Sequence, residues 1–366
     1  MKSLYYFNPL SVVRNLYRKD VIAWSNVYKL IGHAIGMNDR TDTFKQPMRL
    51  KMYEGCRMPE YAPITHTYDD AVNERVKQLY DLSVEKNKPL SIMWSGGIDS
   101  TLIVVGFLRN YTKEQLKGRV KILTSTPATV ENPEFYWKHI LPNFDLDNSN
   151  ALPWMFDGSR MIVTGEFNDQ LFGSDLIRGY LAHRGAEEVN SAFDKDKIFS
   201  YLNQIIGNDR VTNIMIDSII EAANKRGVTL ERNTDFFWWY NFCFKWQTVN
   251  FRIYALAMPK FTPNINDEWH QTYMHHFYQT DAFQLWSMNH PEVRYIDDFR
   301  HYKQQAKQLI YDFDGNEDYY INKIKRPSLY SVFEQRILSE AITEDWEIIS
   351  KLNPFEYYNP DNPFNS

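Results

Sequence analysis

The run Ser95-Gly96-Gly97-Ile98-Asp99-Ser100-Thr101 stands between an apolar burst, Leu90–Trp94, and a second apolar stretch, Thr101–Leu108. Adjacent glycines let backbone N–H groups turn inward as an anion-binding nest. A helix starting just after them aims its positive end at the same point, and the Ser95, Ser100 and Thr101 hydroxyls add donors. Phosphate binding is the chemistry this suits. Asp99 would repel bare phosphate, so a divalent cation is expected between them; Mg²⁺ commonly takes one or two carboxylates plus phosphate oxygens. Five fixed positions at roughly 6% usage each match by chance in about one such chain in a few thousand. Neither Gly-x-x-x-x-Gly-Lys-Ser/Thr nor Gly-x-Gly-x-x-Gly occurs, which removes the main support for a Walker-type NTPase or a dinucleotide fold.

A second constellation is Val163-Thr164-Gly165-Glu166-Phe167-Asn168-Asp169-Gln170-Leu171-Phe172-Gly173, entered from the apolar run Met161–Thr164. In an open parallel sheet, ligands sit at the carboxyl ends of the strands. Trp94 and Thr164 each end a predicted strand and precede a Gly turn and an Asp. Asp99 and Asp169 are thus expected to reach one Mg²⁺, with Glu166 at the mouth of the same crevice.

Ser-Gly-Gly-x-Asp-Ser after a buried strand resembles the pyrophosphate loop of the N-type ATP pyrophosphatases. The second constellation is similar to Gly-Glu-Gly-x-Asp-Glu-Leu-Phe-Gly-Gly of the synthetase domain of asparagine synthetases, a branch shared with β-lactam synthetases and lasso-peptide cyclases. The resemblance spans about residues 67–330. It implies a doubly wound parallel sheet and cleavage of ATP between the α and β phosphates, giving an adenylated substrate and pyrophosphate. It assigns ATP and pyrophosphate contacts to Trp94, Ser95, Gly96, Gly97, Asp99, Ser100, Thr101, Thr164, Gly165 and Lys323. Glu166 becomes the base or orienting group for an incoming amine. Lys325 neutralises charge on the α-phosphate, and Lys323 and Arg326 are candidates for pyrophosphate. Phe167, Asn168, Gln170 and Ser174 depart from the pattern; they are expected to narrow the crevice and change its charge, leaving the acyl substrate open.

Positioning these groups requires alternating elements. Thr67-x-x-Asp70 reads as a capping box ahead of Val72, Val76, Leu79, Tyr80 and Val84 at helical spacing. Strands at Leu90–Trp94, Val120–Thr124 and Met161–Thr164 alternate with helices, the pattern of an α/β fold with a parallel sheet. A helix is expected around Val12–Leu30. From about residue 176 helical patterns take over, and Asp235–Trp246 is the densest aromatic segment. The division expected is an N-terminal extension over 1–66, an ATP pyrophosphatase core over 67–190, an aromatic-rich helical part over 191–352 and a poorly ordered tail over 353–366. Lys245 and Arg252 read as snorkelling cations, and Lys303 and Lys307 as surface groups. His270, His275 and His276 match no strong zinc spacing.

Ten Trp, 24 Tyr and 23 Phe imply large packed cores or stacking surfaces. A net charge of −5 argues against a nucleic-acid or polybasic membrane partner. No apolar run reaches the roughly 18 residues of a membrane span. Two scattered cysteines, Cys56 and Cys243, fit a reducing compartment, so a cytoplasmic protein is expected. Position 2 is Lys, and 94 residues precede the loop, too few for a glutaminase domain. The expected activity is therefore an asparagine-synthetase-like ligase using ATP and Mg²⁺, a small carboxylate, and ammonia or an amine, free or from a partner protein. The alternatives are adenylation of a nucleobase in tRNA and a non-catalytic ATP-binding module.

Overall fold

The computed structural model describes residues 2–8, 19–30, 38–44, 46–47, 50–324 and 339–362. Five strands, β2 (Leu90–Met93), β3 (Val120–Thr124), β4 (Asp145–Asn148), β5 (Met161–Thr164) and β6 (Met274–His276), form an all-parallel sheet in the order β4-β3-β2-β5-β6. Leu90 is in register with both Val120 and Met161. The sheet's central strands are mostly apolar, Ser91 and Lys121 among the exceptions, and Leu90, Ile92, Ile122, Leu123, Ile162 and Val163 are fully buried, as strands covered on both faces must be. Because β2 has β3 on one side and β5 on the other, strand order reverses between β2 and β5. The carboxyl ends of those two strands therefore border the crevice where such sheets bind ligands.

β3 and β5 fall where the sequence places them, and β2 ends one residue earlier. The sheet also contains two strands the sequence reading lacks. β4, Asp145-Leu-Asp-Asn148, is a polar edge strand with no apolar burst. β6 is three residues long and carries His275 and His276, whose burial pushes both rings down to about 3 and so keeps them neutral. A further antiparallel sheet joins distant parts of the chain: β1 (Leu4–Phe7) pairs with β7 (Ala341–Thr343), which pairs with β8 (Ile348–Ile349).

Seven helices carry the argument: α1 (Lys19–Leu30), α2 (Tyr68–Glu85), α3 (Ile98–Asn110), α4 (Asn168–Phe172), α5 (Asn233–Phe244), α6 (Trp246–Phe251) and α7 (Gln304–Asp314). The Thr67–Asp70 capping box opens α2 as expected. α1 covers the end of the helix expected over Val12–Leu30; residues 12–18 lie outside the described ones. Every residue of α5 is buried, which accounts for much of the aromatic content. Within it Trp238 donates its indole N–H to Ser287 Oγ at 2.9 Å and faces the Arg294 guanidinium at 3.4 Å, and Arg294 is paired with Asp235 at 2.8 Å. Part of the tail expected to lack order is packed: Tyr358 bridges Leu50, and the Asn362 amide bonds the Gln46 carbonyl. Among the described residues no helix is long and apolar enough to cross a membrane.

Candidate functional site

The loop between β2 and α3 is built largely from its own residues. Ser95 N–H donates to Ser100 Oγ at 3.1 Å, the two serine hydroxyls meet at 3.1 Å, and Ser100 Oγ donates to the Gly97 carbonyl at 3.3 Å. The Trp94 indole donates to Thr101 Oγ1 at 3.2 Å. These side chains shape the loop, while the first-turn amides of α3 have no intrahelical carbonyl to bond and point outward. Gly96 has φ +75°, and a Cβ there would lie 2.4 Å from the Ala128 carbonyl oxygen. Only glycine fits.

The turn after β5 comes against this loop. A Cβ on Gly165 would sit 3.2 Å from Ser100 N and 3.3 Å from Asp99 Cβ, so the two strand-end segments are in contact through a glycine. Next to it, Phe167 adopts φ +78° and ψ −19°, an outlying conformation for a bulky residue. Its ring is buried, stacked 4.3 Å from Trp246 and edge-on to His276 at 5.1 Å. The expected narrowing of the crevice by Phe167 is therefore not what its ring does; it packs into the aromatic core instead.

Asp99 and Asp169 converge on one point. Lys303 Nζ lies 2.6 and 2.7 Å from the two Asp99 oxygens and 2.6 Å from Asp169 Oδ1. Asn168 Nδ2 donates to Asp99 Oδ1 at 2.7 Å while its own Oδ1 accepts from the Tyr68 hydroxyl at 2.6 Å. Tyr278 donates to the Asp99 carbonyl at 2.8 Å, and Asn241 Nδ2 to the Asp169 carbonyl at 3.2 Å. Burial and the neighbouring Asp169 push the Asp99 carboxyl up, against Lys303 and Asn168, which hold it down. Lys303 and Lys307, expected at the surface, are both buried; the Lys307 ammonium donates to the Arg300 carbonyl at 2.6 Å, and burial pushes it down to about 8. A helix-start lysine is ordinarily exposed. Here the left-handed backbone of Lys303, φ +60°, turns its side chain under the carboxylates.

Glu166 is gripped by Arg252, whose Nη2 donates to both carboxylate oxygens at 2.8 and 2.7 Å. Arg252 follows α6 directly, and this pairing, not snorkelling, is its visible role. Thr164, at the end of β5, shares its hydroxyl with His276 Nδ1 at 2.6 Å, and His276 Nε2 meets the Asn250 carbonyl at 3.1 Å. A carbonyl accepts only from an N–H, so Nε2 carries the proton and the Thr164 hydroxyl donates to Nδ1.

Lys323 stands one partner removed from the loop. It pairs with Glu131, whose side chain borders Gly96. Lys325 and Arg326 lie outside the described residues. Beside the loop, at the carboxyl ends of β3 and β4, is an open cleft of about 740 Å³ lined by Thr124, Val130, Tyr136, Trp137, Asp147 and Asn148. Trp137 and Val130 are largely exposed there, and Trp94 stacks 6.0 Å from Tyr136, joining loop to cleft. The volume and aromatic lining suit a nucleoside-sized ligand.

Two carboxylate oxygens aimed at one cation position are a donor set suited to Mg²⁺ with phosphate, so Asp99 and Asp169 fit the ion the sequence implies. Among the described residues no group of three or more His, Cys, Asp or Glu side chains is placed to hold a metal ion. Asn168, Arg252, Lys303 and His276 were missed as site residues, since their partners lie far away in sequence. No protein-family model matches the chain, and no curated protein matches it in sequence.

Proposed function

We propose that this chain is an ATP-dependent, AMP-forming carbon–nitrogen ligase, asparagine-synthetase-like without a glutaminase, on a doubly wound sheet of the pyrophosphate-loop type. The observation that carries the reading is the convergence of Asp99 and Asp169 on one cation position at the strand-order reversal, beside a glycine loop at the start of α3.

The loop amides hold the polyphosphate, and the cleft at β3 and β4 takes the nucleoside. Asp99 and Asp169 would hold a Mg²⁺, which would neutralise phosphate charge when bound. A substrate carboxylate attacks the α-phosphate and pyrophosphate leaves, with Lys323 beside the loop and Lys325, by resemblance, offsetting the charge. Glu166, fixed by Arg252, keeps lone pairs with which to orient an incoming ammonia or amine.

The test is product analysis with ATP labelled at the α and γ positions, with Mg²⁺, ammonium and a panel of carboxylic and amino acids. AMP and pyrophosphate are expected, released in dependence on one panel member. ADP and phosphate would overturn the reading. ATP binding without turnover on any panel would favour the non-catalytic module instead.

A further inference from the structure

The cation between Asp99 and Asp169 belongs to the protein itself. The Lys303 side chain has no exposure, whereas those of Asp99 and Asp169 keep 22% and 23%. The ammonium therefore comes up from the interior, and the carboxylates rim the crevice. Both Asp99 oxygens bond Nζ, Oδ1 also accepts from Asn168, and Asp169 Oδ1 is shared between Lys303 and the Tyr302 hydroxyl at 3.3 Å. Nζ also lies 5.4 Å from the Tyr302 ring.

We propose that Lys303 is the resident counter-ion of this pair, and that a divalent metal enters only by displacing it, together with a polyphosphate that takes up the released ammonium. The inference rests on the functional reading above and adds to it an order of events.

The argument is one of charge. Two carboxylates and one ammonium leave a net −1 in a largely buried setting. A divalent ion in place of the ammonium balances the carboxylates but strands a buried ammonium without a partner, which is costly. Polyphosphate oxygens entering with the metal supply that partner. Metal and polyphosphate then bind cooperatively, each raising affinity for the other by the same factor. Lys303 is a positioning residue in this scheme: it keeps both carboxylates aimed at one point until the exchange.

The experiment is titration of the nucleotide-free full chain with Mn²⁺ alone, with free ion followed by electron paramagnetic resonance. Lys303→Met, which removes the competing cation, is expected to bind Mn²⁺ at least about tenfold more tightly than wild type. Adding Asp99→Asn to that variant should abolish the gain. Wild-type binding as tight as that of the Lys303 variant would overturn the proposal, because metal and ammonium would then coexist. So would a folded Lys303→Met that gains nothing. If Lys303→Met fails to melt cooperatively, Lys303→Gln, which keeps a donor toward Asp99, is measured under the same two criteria. No nucleotide enters the experiment, so failure of the labelled-ATP test and failure of this one are separately visible.

Discussion

The loop after β2 and the turn after β5 meet across the same crevice but are held in opposite ways. The serine and tryptophan side-chain hydrogen bonds that shape the first run among residues 94–101, while Asp99 is tied to distant chain through Tyr278, Asn168 and Lys303. The second depends on distant chain: Glu166 on Arg252, Asn168 on Tyr68, Asp169 on Lys303, and Thr164 on His276. It also carries a phenylalanine in a left-handed conformation. A glycine loop at a helix start can thus be made locally, whereas the turn that meets it reports on the packing of the helical region. On the proposed reading, changes in the loop should act on ATP turnover directly. Changes in the turn should act on stability and geometry together.

The largest expected effect tests the point where the two segments join. On the proposed reading, Asp99→Asn should lower AMP formation by about 10²–10³-fold, the size found for losing one preorganised electrostatic group in an active site; a loss under about fivefold, measured by labelled-ATP turnover, would separate the loop from the cation position. Next comes acid. Burial pushes His275 and His276 down to about 3 and His270 to about 4, from an ordinary 6.5. The unfolded chain then binds more protons, so the stability these rings contribute is complete above pH 6.5 and is lost as pH falls from 6.5 toward 3. Because His276 buttresses Thr164, hydrogen-exchange protection, taken relative to the intrinsic amide rate at each pH, should fall at pH 5 over 164–169 before 95–101, and equal protection would erase the contrast.

Smaller effects sharpen it. Phe167→Gly relieves about 1–3 kcal/mol of backbone strain but loses about 3–5 kcal/mol of buried ring, so urea melts should show net destabilisation near 2 kcal/mol. Stabilisation would mean that the stacking on Trp246 contributes little. Asn168→Ala breaks the link from Tyr68 to Asp99 and should cost about 1–2 kcal/mol, read from the same melts. It should be less harmful to turnover than Asp99→Asn.

What the sequence made legible follows the same division. Leu90–Trp94, Thr67–Asp70 and the Ser95–Thr101 loop announce themselves because their physics is local: apolar runs, a side-chain cap, glycines at a turn. β4 and β6 stayed hidden, one being a polar edge and the other holding histidines that only tertiary burial keeps neutral. Lys303 looked like an ordinary exposed helix lysine, since nothing nearby reveals that its backbone turns left-handed. Asn168 and Arg252 looked like drift and snorkelling because Tyr68 and Glu166 lie far away along the chain. The one cue available for Arg252 was its place shortly after the aromatic-dense segment Asp235–Trp246, where an uncompensated guanidinium would be costly.

The pairing of β1 with β7 has a consequence for how the molecule is made. Phe7 finds its partner in Ala341, and at roughly 5–20 residues per second the ribosome releases that partner many seconds later. Until then the strand has its earlier neighbours, with Leu4 bonding Lys51 and Tyr53 across its bridge to Met52. α6 rests on β1, with the Gln247 amide bonding the Tyr5 carbonyl and Phe251 stacked on Tyr5 at 4.6 Å, and Arg252 follows immediately. The segment that grips Glu166 is therefore seated on a strand whose other neighbour, β7, is made late, so the pairing of β7 with β1 braces the second turn from a distance.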